Sequence, residues 1–301
     1  MIKPPYLQEG DRIGLVSPAG KITSTQVKAS VKVLQRWGLE PVFGRHIFSS
    51  QNLFAGSDED RTIDIQEFFD DESIKAIIST RGGYGSVRVI DKLDFSQFQK
   101  KPKWFIGYSD ITVFHSHIQQ NFKIETIHAT MPINSPEDFS ENDSIISLRQ
   151  ALFGELSEYV CSECKILKKG NTHGILIGGN LSVLYSLIGS KSDIDTNGKI
   201  LFIEDLDEYT YHIDRMMINL KRSGKLAKLK GLIIGGMSNM NEGSTAFGKT
   251  PNEIICEHVK EYDFPVVSSF PTGHQEKNMA LYLGREIEIN AGDNEFHLRF
   301  L

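Results

Sequence analysis

The sequence predicts an α/β protein of two domains, the first of them a parallel sheet covered on both faces by helices. Through the first half of the chain, short apolar runs ending in glycine- or serine-rich turns alternate with segments of helical apolar spacing, which is the rhythm of βαβ units. The periodicity fades between 135 and 172 and then resumes, with the last stretches strand-like. The expected boundaries are 1–150 for an N-terminal domain, 151–172 for a linker and 173–301 for a C-terminal domain. At 301 residues and 40% hydrophobic content, the chain has enough apolar material for one large or two medium cores.

Arg12-Ile-Gly-Leu-Val16 reads as a buried strand ending in Ser17-Pro-Ala-Gly20, and 25–37 carries Val27, Val31 and Leu34 at helical spacing before a stop at Gly38. Ser57 followed by Asp58, Glu59 and Asp60 is a helix start, because a serine cap and an acidic first turn answer the unpaired N–H groups there. Ile63, Ile65, Phe68 and Phe69 supply its apolar face, and Ile74-Lys-Ala-Ile-Ile78 is the next strand. The rhythm repeats at 104–106, with a helix through Phe114 and Ile118, and at 125–128; a short helix near 145–152 precedes the linker. Beyond it, Gly174-Ile-Leu-Ile-Gly-Gly-Asn180 is a strand and turn, Leu181, Leu184 and Leu187 mark a helix, and 199–204 is a strand. The stretch 209–222 is an amphipathic helix built on Ile213, Met216, Met217 and Leu220, and 231–235 is a buried strand. Thr250-Pro-Asn-Glu253 is a capping box with proline at the first helical position. The segments 265–270, 285–289 and 295–300 read as strands, the last two as a hairpin around Ala291-Gly-Asp-Asn294.

Composition narrows the partners. A net charge of −6 offers no basic excess for nucleic acid. The N-terminal residues contain no apolar signal-like core, and no uncharged run approaches the ~20 residues a membrane span needs, so a cytoplasmic protein without a membrane partner is expected. Three cysteines argue against a disulfide framework; Cys161 and Cys164 form a C-x-x-C, but Cys256 and scattered histidines supply no second ligand pair for zinc, so incidental thiols are expected.

Two turns hold the candidate chemistry. Trp104-Phe-Ile-Gly-Tyr-Ser-Asp110 drives an apolar strand into a glycine turn and leaves Ser109 at the mouth of a helix, where unpaired N–H groups stabilise an alkoxide or oxyanion. The pattern has the first glycine of the G-x-S-x-G elbow and lacks the second, and taken alone Ser109 is better read as a helix cap than as a nucleophile. Ser79-Thr-Arg-Gly-Gly-Tyr-Gly85 follows the strand ending at Ile78; paired glycines there admit close approach of a phosphate or oxyanion, or simply make a tight turn. Neither a P-loop nor a complete dinucleotide fingerprint is present, so no cofactor is expected, and no H-E-x-x-H suggests a catalytic metal. A serine nucleophile needs a base and a carboxylate to orient it. Glu204, closing an apolar strand, and His274, in the loop after 265–270, are the candidates, each also readable as structural; His115 and His117 are better read as surface or packing residues. Arg81 is equally a partner for a substrate carboxylate and a surface ion pair. A non-catalytic α/β protein that holds an anion at the Gly82-Gly83 turn is the alternative of another class.

Six segments occur together and in order: Ile13-Gly-Leu-Val-Ser-Pro-Ala-Gly20, Thr80-Arg-Gly-Gly-Tyr-Gly85, Phe105-Ile-Gly-Tyr-Ser-Asp110, Gly178-Gly-Asn180, Leu201-Phe-Ile-Glu-Asp205 and Gly273-His274. On these the chain resembles the LD-carboxypeptidases, serine peptidases that include murein tetrapeptide carboxypeptidase and the microcin C immunity peptidases. The resemblance implies a flavodoxin-like N-terminal domain and a smaller, β-rich C-terminal domain, with the site between them. It also implies a triad of Ser109, His274 and Glu204 and an oxyanion hole from the Asp110 and Gly83 N–H groups; Arg81 and Gly82, beside that hole, are candidate substrate contacts on their own residue chemistry. The implied reaction, with no metal or other cofactor, is removal of a terminal D-alanine from a muropeptide substrate in cytoplasmic peptidoglycan recycling, by an enzyme that forms a homodimer. Within the family the rival substrate is an aminoacyl nucleotide, but 236–247 holds one aromatic residue, which favours the murein peptide.

Overall fold

The computed structural model describes residues 1–136, 140–292 and 295–301. The strands, in chain order, are β1 (Arg12–Val16), β2 (Glu40–Phe43), β3 (Ile74–Ser79), β4 (Trp104–Gly107), β5 (Thr126–His128), β6 (Glu158–Cys161), β7 (Lys165–Lys168), β8 (Gly170–Asn180), β9 (Ile200–Leu206), β10 (Gly231–Ser238), β11 (Val266–Ser268), β12 (Leu281–Leu283), β13 (Glu286–Ala291) and β14 (Phe296–Phe300). The first sheet has the order β12-β5-β4-β3-β1-β2. Its five N-terminal strands are parallel and, read from the other edge, run 2-1-3-4-5, the doubly wound order of flavodoxin-like sheets. The switch point of that order lies between β1 and β3, and ligands of open α/β sheets characteristically bind beyond the carboxyl ends of the strands at such a point.

The long buried runs become the central strands: β4 is buried at every position and β3 at all but Lys75. Helices start where the caps predict, with reciprocal capping boxes at Ser57 and Asp60 before Asp58–Asp70, and at Thr250 and Glu253 before Pro251–Val259. The second sheet runs β6-β14-β13-β8-β9-β10-β11-β7, with β8 to β11 parallel and the remaining neighbours antiparallel. The antiparallel pairing of β13 with β14 matches the hairpin expected there; of its turn, Asp293 and Asn294 lie outside the described residues.

Several expectations are corrected. The stretch 151–172 contains β6, β7 and the start of β8, so it contributes both edge strands of the second sheet. Its polar look has a cause: β7, Lys165-Ile-Leu-Lys168, is an edge strand, and charged ends on an edge discourage pairing with another chain. Cys161 and Cys164 are joined by a disulfide, while Cys256 on the helix Pro251–Val259 is the free thiol; an odd count excludes complete pairing and leaves room for one local bridge. Of the surface and packing roles read for His115 and His117, packing is the one seen: both are buried. Finally, β12 leaves the C-terminal part of the chain and pairs antiparallel with β5, and one apolar cluster runs continuously from Trp104 and Ile106 of the first sheet to Phe202, Phe270 and Tyr282.

Candidate active site

Gly107 ends β4 at a positive φ of 155°, where a Cβ would meet the Ile111 side chain at 2.9 Å. Two residues later Ser109 has φ 66°, in the left-handed region that a non-glycine residue occupies at a cost. A single 3-10 turn, Ser109–Ile111, leads into the helix Thr112–Phe122. Among the described residues the Ser109 hydroxyl caps no N–H and makes no hydrogen bond, so Ser109 is not a helix cap here. A strained serine between strand and helix is instead the geometry of a nucleophile elbow. Beneath the turn, His115 Nε2 donates to the Gly107 carbonyl at 2.9 Å and its Nδ1 lies 2.8 Å from Thr126 Oγ1. Burial pulls the His115 pKa down to about 4, so this support is neutral.

The glycine turn meets the serine turn directly. A Cβ placed on Gly82 would stand 2.8 Å from Ser109 Cβ, 2.9 Å from Ser109 Oγ and 3.4 Å from the Asp110 nitrogen, so the absence of a side chain lets the two backbones touch. The Gly82 carbonyl accepts the Gly20 N–H at 3.0 Å, which ties the end of β1 to the same place. Gly83 has φ 107°, and neither its N–H nor that of Asp110 has an acceptor among the described residues. The Asp110 carboxylate points inward and accepts the Ser86 N–H at 2.8 Å, fastening one turn to the other. Its pKa is raised by burial, against the opposing hydrogen bonds from Ser86 and the charge of Arg61. Arg81 is half-buried, and its Nη1 donates to the Lys21 carbonyl at 3.2 Å.

Glu204 lies fully buried in β9. Its Oε2 accepts both from the His274 backbone N–H at 3.1 Å and, at 2.7 Å, from His274 Nδ1. Gly273 makes this fit: at φ 105°, a Cβ there would sit 2.7 Å from that same oxygen. With Nδ1 engaged, the proton-accepting lone pair of the imidazole is at Nε2. Burial lowers the His274 pKa, but the Glu204 hydrogen bond and charge, with Asp205 and Asp207, raise it on balance above its ordinary value. The His274 ring packs 4.7 Å from the ring of Tyr108, the residue immediately before Ser109. Residues that follow β4 of the first sheet and β11 of the second therefore meet at one point. The Tyr108 hydroxyl donates to Asn134 Oδ1 at 3.2 Å, and burial together with the Glu204 charge pushes its pKa up to about 12, so it stays protonated.

Further links went unread in the sequence. The Asn180 N–H donates to Thr112 Oγ1 at 2.9 Å and its Nδ2 to Asp205 Oδ1 at 2.9 Å, so one residue joins the helix behind Ser109 to the strand carrying Glu204. Burial and the neighbouring Glu204 charge push the Asp205 pKa up to about 7, although Asn180 and the N–H groups of Leu206 and Ser182 oppose the shift. The signal was the glycine pair before Asn180: a Cβ on Gly178 would lie 1.8 Å from the Phe202 carbonyl oxygen, and one on Gly179 would lie 2.4 Å from Thr112 Oγ1. No group of three or more His, Cys, Asp or Glu side chains among the described residues is arranged to hold a metal.

Comparison with known proteins fits this arrangement. Residues 13–129 match the LD-carboxypeptidase N-terminal domain and 173–289 the LD-carboxypeptidase C-terminal domain. A probable murein peptide carboxypeptidase of Bacillus subtilis is 32% identical over 298 residues, covering 97% of this chain and 92% of that protein. The crystal structure of muramoyltetrapeptide carboxypeptidase from Oxalobacter formigenes superposes with a TM-score of 0.85 at 26% identity, covering 96% of this chain and 98% of the other. MccF, solved in complex with glutamyl sulfamoyl guanosine, shares the fold with a TM-score of 0.88 at 23% identity and 98% coverage of both chains. With both domain models matched in order and the relatives aligned nearly end to end, the chain belongs to the LD-carboxypeptidase family and is a serine-type carboxypeptidase.

Proposed function

We propose that this enzyme cleaves the amide between the L-centre of a diamino acid and a terminal D-alanine in murein tetrapeptides, with Ser109 as nucleophile, His274 as general base and Glu204 as its orienting carboxylate. The observation that carries the assignment is the buried Glu204–His274 hydrogen bond, set against the residue that precedes Ser109. Glu204 holds Nδ1–H, leaving His274 Nε2 to take the Ser109 proton as Oγ attacks the carbonyl carbon. The unengaged N–H groups of Gly83 and Asp110 then receive the oxyanion, and His274 protonates the leaving amine before water releases the peptide. Arg81 beside the glycine turn is suited to the free carboxylate of the terminal residue, and Gly82 leaves room for the substrate to lie against Ser109. The similarity to a muramoyltetrapeptide carboxypeptidase supports the substrate. The proposal extends to cytoplasmic muropeptide recycling and to a homodimer, the latter open to light scattering.

Mass spectrometry of muropeptides incubated with the enzyme tests the reaction. Loss of a single D-alanine from tetrapeptide, and none from pentapeptide, is the expected result. Ser109→Ala should abolish release while leaving the melting temperature nearly unchanged, and retained activity removes Ser109 from the mechanism. An aminoacyl sulfamoyl nucleotide run in parallel addresses the other substrate class; its preferential cleavage overturns the murein assignment.

A further inference from the structure

The edge strands of the second sheet are consecutive in the chain, yet they pair at opposite ends of it: β6 lies against β14, and β7 against β11. The disulfide between Cys161 and Cys164 closes the short connection between them, with Cα atoms 5.5 Å apart. Both cysteines are buried, while Ser162 and Glu163 between them are exposed. We infer that Cys161 and Cys164 form a reversible dithiol–disulfide site whose oxidised form fixes the segment that presents His274.

The first argument is the size of the ring. A cross-link restrains the unfolded chain more as the enclosed loop lengthens, so a bond across two intervening residues does little as a global staple. Its effect is local. The second is chemical: the Cys164 N–H points at Cys161 Sγ from 3.1 Å, and a donor so placed stabilises a thiolate there. The third is connection to the active site. On one arm of the ring, Cys164 Sγ stands 3.8 Å from the Ser269 carbonyl oxygen and Lys165 pairs with Ser268, close before His274 in the chain. On the other arm, Tyr159 of β6 packs its ring 5.9 Å from that of Phe270 and donates its hydroxyl to the Ala280 carbonyl at 2.8 Å. The two arms thus grip both ends of 269–280, and Ser269, at φ 60°, turns that segment out of β11.

Reduction needs an external dithiol. Its thiolate attacks Cys164 Sγ, the S–S electron pair leaves on Cys161 Sγ beside the Cys164 N–H, and a mixed disulfide forms. The second thiol of the reductant then displaces Cys164, the reductant departs as its own disulfide, and its two protons end on the two cysteines. The Cys164 thiol becomes able to donate to the Ser269 carbonyl, while the arm through Cys161 is released.

The full-length protein is equilibrated in buffers of reduced and oxidised dithiothreitol, its thiols are counted by alkylation and mass spectrometry, and D-alanine release is measured in parallel. Two further cysteines should become alkylated at one midpoint in the folded protein. Turnover should fall several-fold across that midpoint and recover on reoxidation. The double variant Cys161→Ser, Cys164→Ser should stay at the reduced level and ignore the buffer, whereas Cys256→Ser should respond like the parent. The inference is overturned if both cysteines alkylate without reductant, if they stay protected until the protein unfolds, or if turnover is flat across the midpoint. The turnover readout rests on the proposed reaction, but the thiol count does not. Should no redox state release D-alanine, that reaction fails, and hydrogen exchange in 269–280 decides the coupling, unchanged exchange rejecting it.

Discussion

Ser109 and His274 each depend on a neighbouring residue that lacks a side chain. At Gly82 a methyl group would stand 2.8 Å from Ser109 Cβ and push the serine turn away. Gly82→Ala is therefore expected to reduce turnover by about 10²-fold or more, on the order of losing an oxyanion donor, with a smaller effect on melting; D-alanine release and a thermal scan separate the two. At the other end, Glu204 raises the His274 pKa, and the proposed base works only when neutral, so activity is expected to rise with pH through that pKa. Glu204→Gln removes the charge and leaves burial, which pulls the imidazole pKa down. Its acid limb in a kcat/KM profile should move to lower pH while turnover falls roughly 10³- to 10⁴-fold, as for other triad carboxylates. An unshifted limb would remove Glu204 from the role.

Among the elements, β8 positions the halves of the site through the glycine pair at its end. A methyl group on Gly179, held at φ 139°, would collide with Thr112 Oγ1 at the start of the helix behind Ser109. Gly179→Ala is expected to cost about 2 kcal/mol or more of stability and to lower turnover as well, both measurable by urea denaturation and assay. The elements themselves were largely legible. Runs such as Trp104-Phe-Ile-Gly107 are buried on both faces and announce themselves by composition, and the caps at Ser57 and Thr250 mark helix starts chemically. What escaped was short and half-exposed: β2 contains Pro41 and has no fully buried position, and β7 alternates with lysines at both ends. The pairing of Glu204 with His274 was legible through the family motifs, whereas the Asn180 bridge was not, because nothing local to Asn180 specifies Thr112 or Asp205 as its partners.

At the scale of the whole molecule, the two sheets are held by one apolar cluster and by a buried ion pair. Arg285, just after β12, donates from Nε to Glu125 Oε2 at 2.9 Å, and its guanidinium carbon lies 3.5 Å from the centre of the Tyr282 ring. Because Glu125 precedes β5, this contact pins the β12–β5 seam from both sides. Arg285→Ala leaves a buried carboxylate without its partner and should cost about 3–5 kcal/mol, read as a lower urea midpoint.

The same seam dictates an order of events during synthesis. Strand β5 ends at His128, but its neighbour β12 begins only at Leu281, after His274. The first sheet must wait with one edge open while more than a hundred further residues are added, and the proposed nucleophile sits on that unfinished sheet. A polypeptide stalled before residue 281 carries every member of the proposed triad and still lacks the strand that pairs with the open edge of the first sheet.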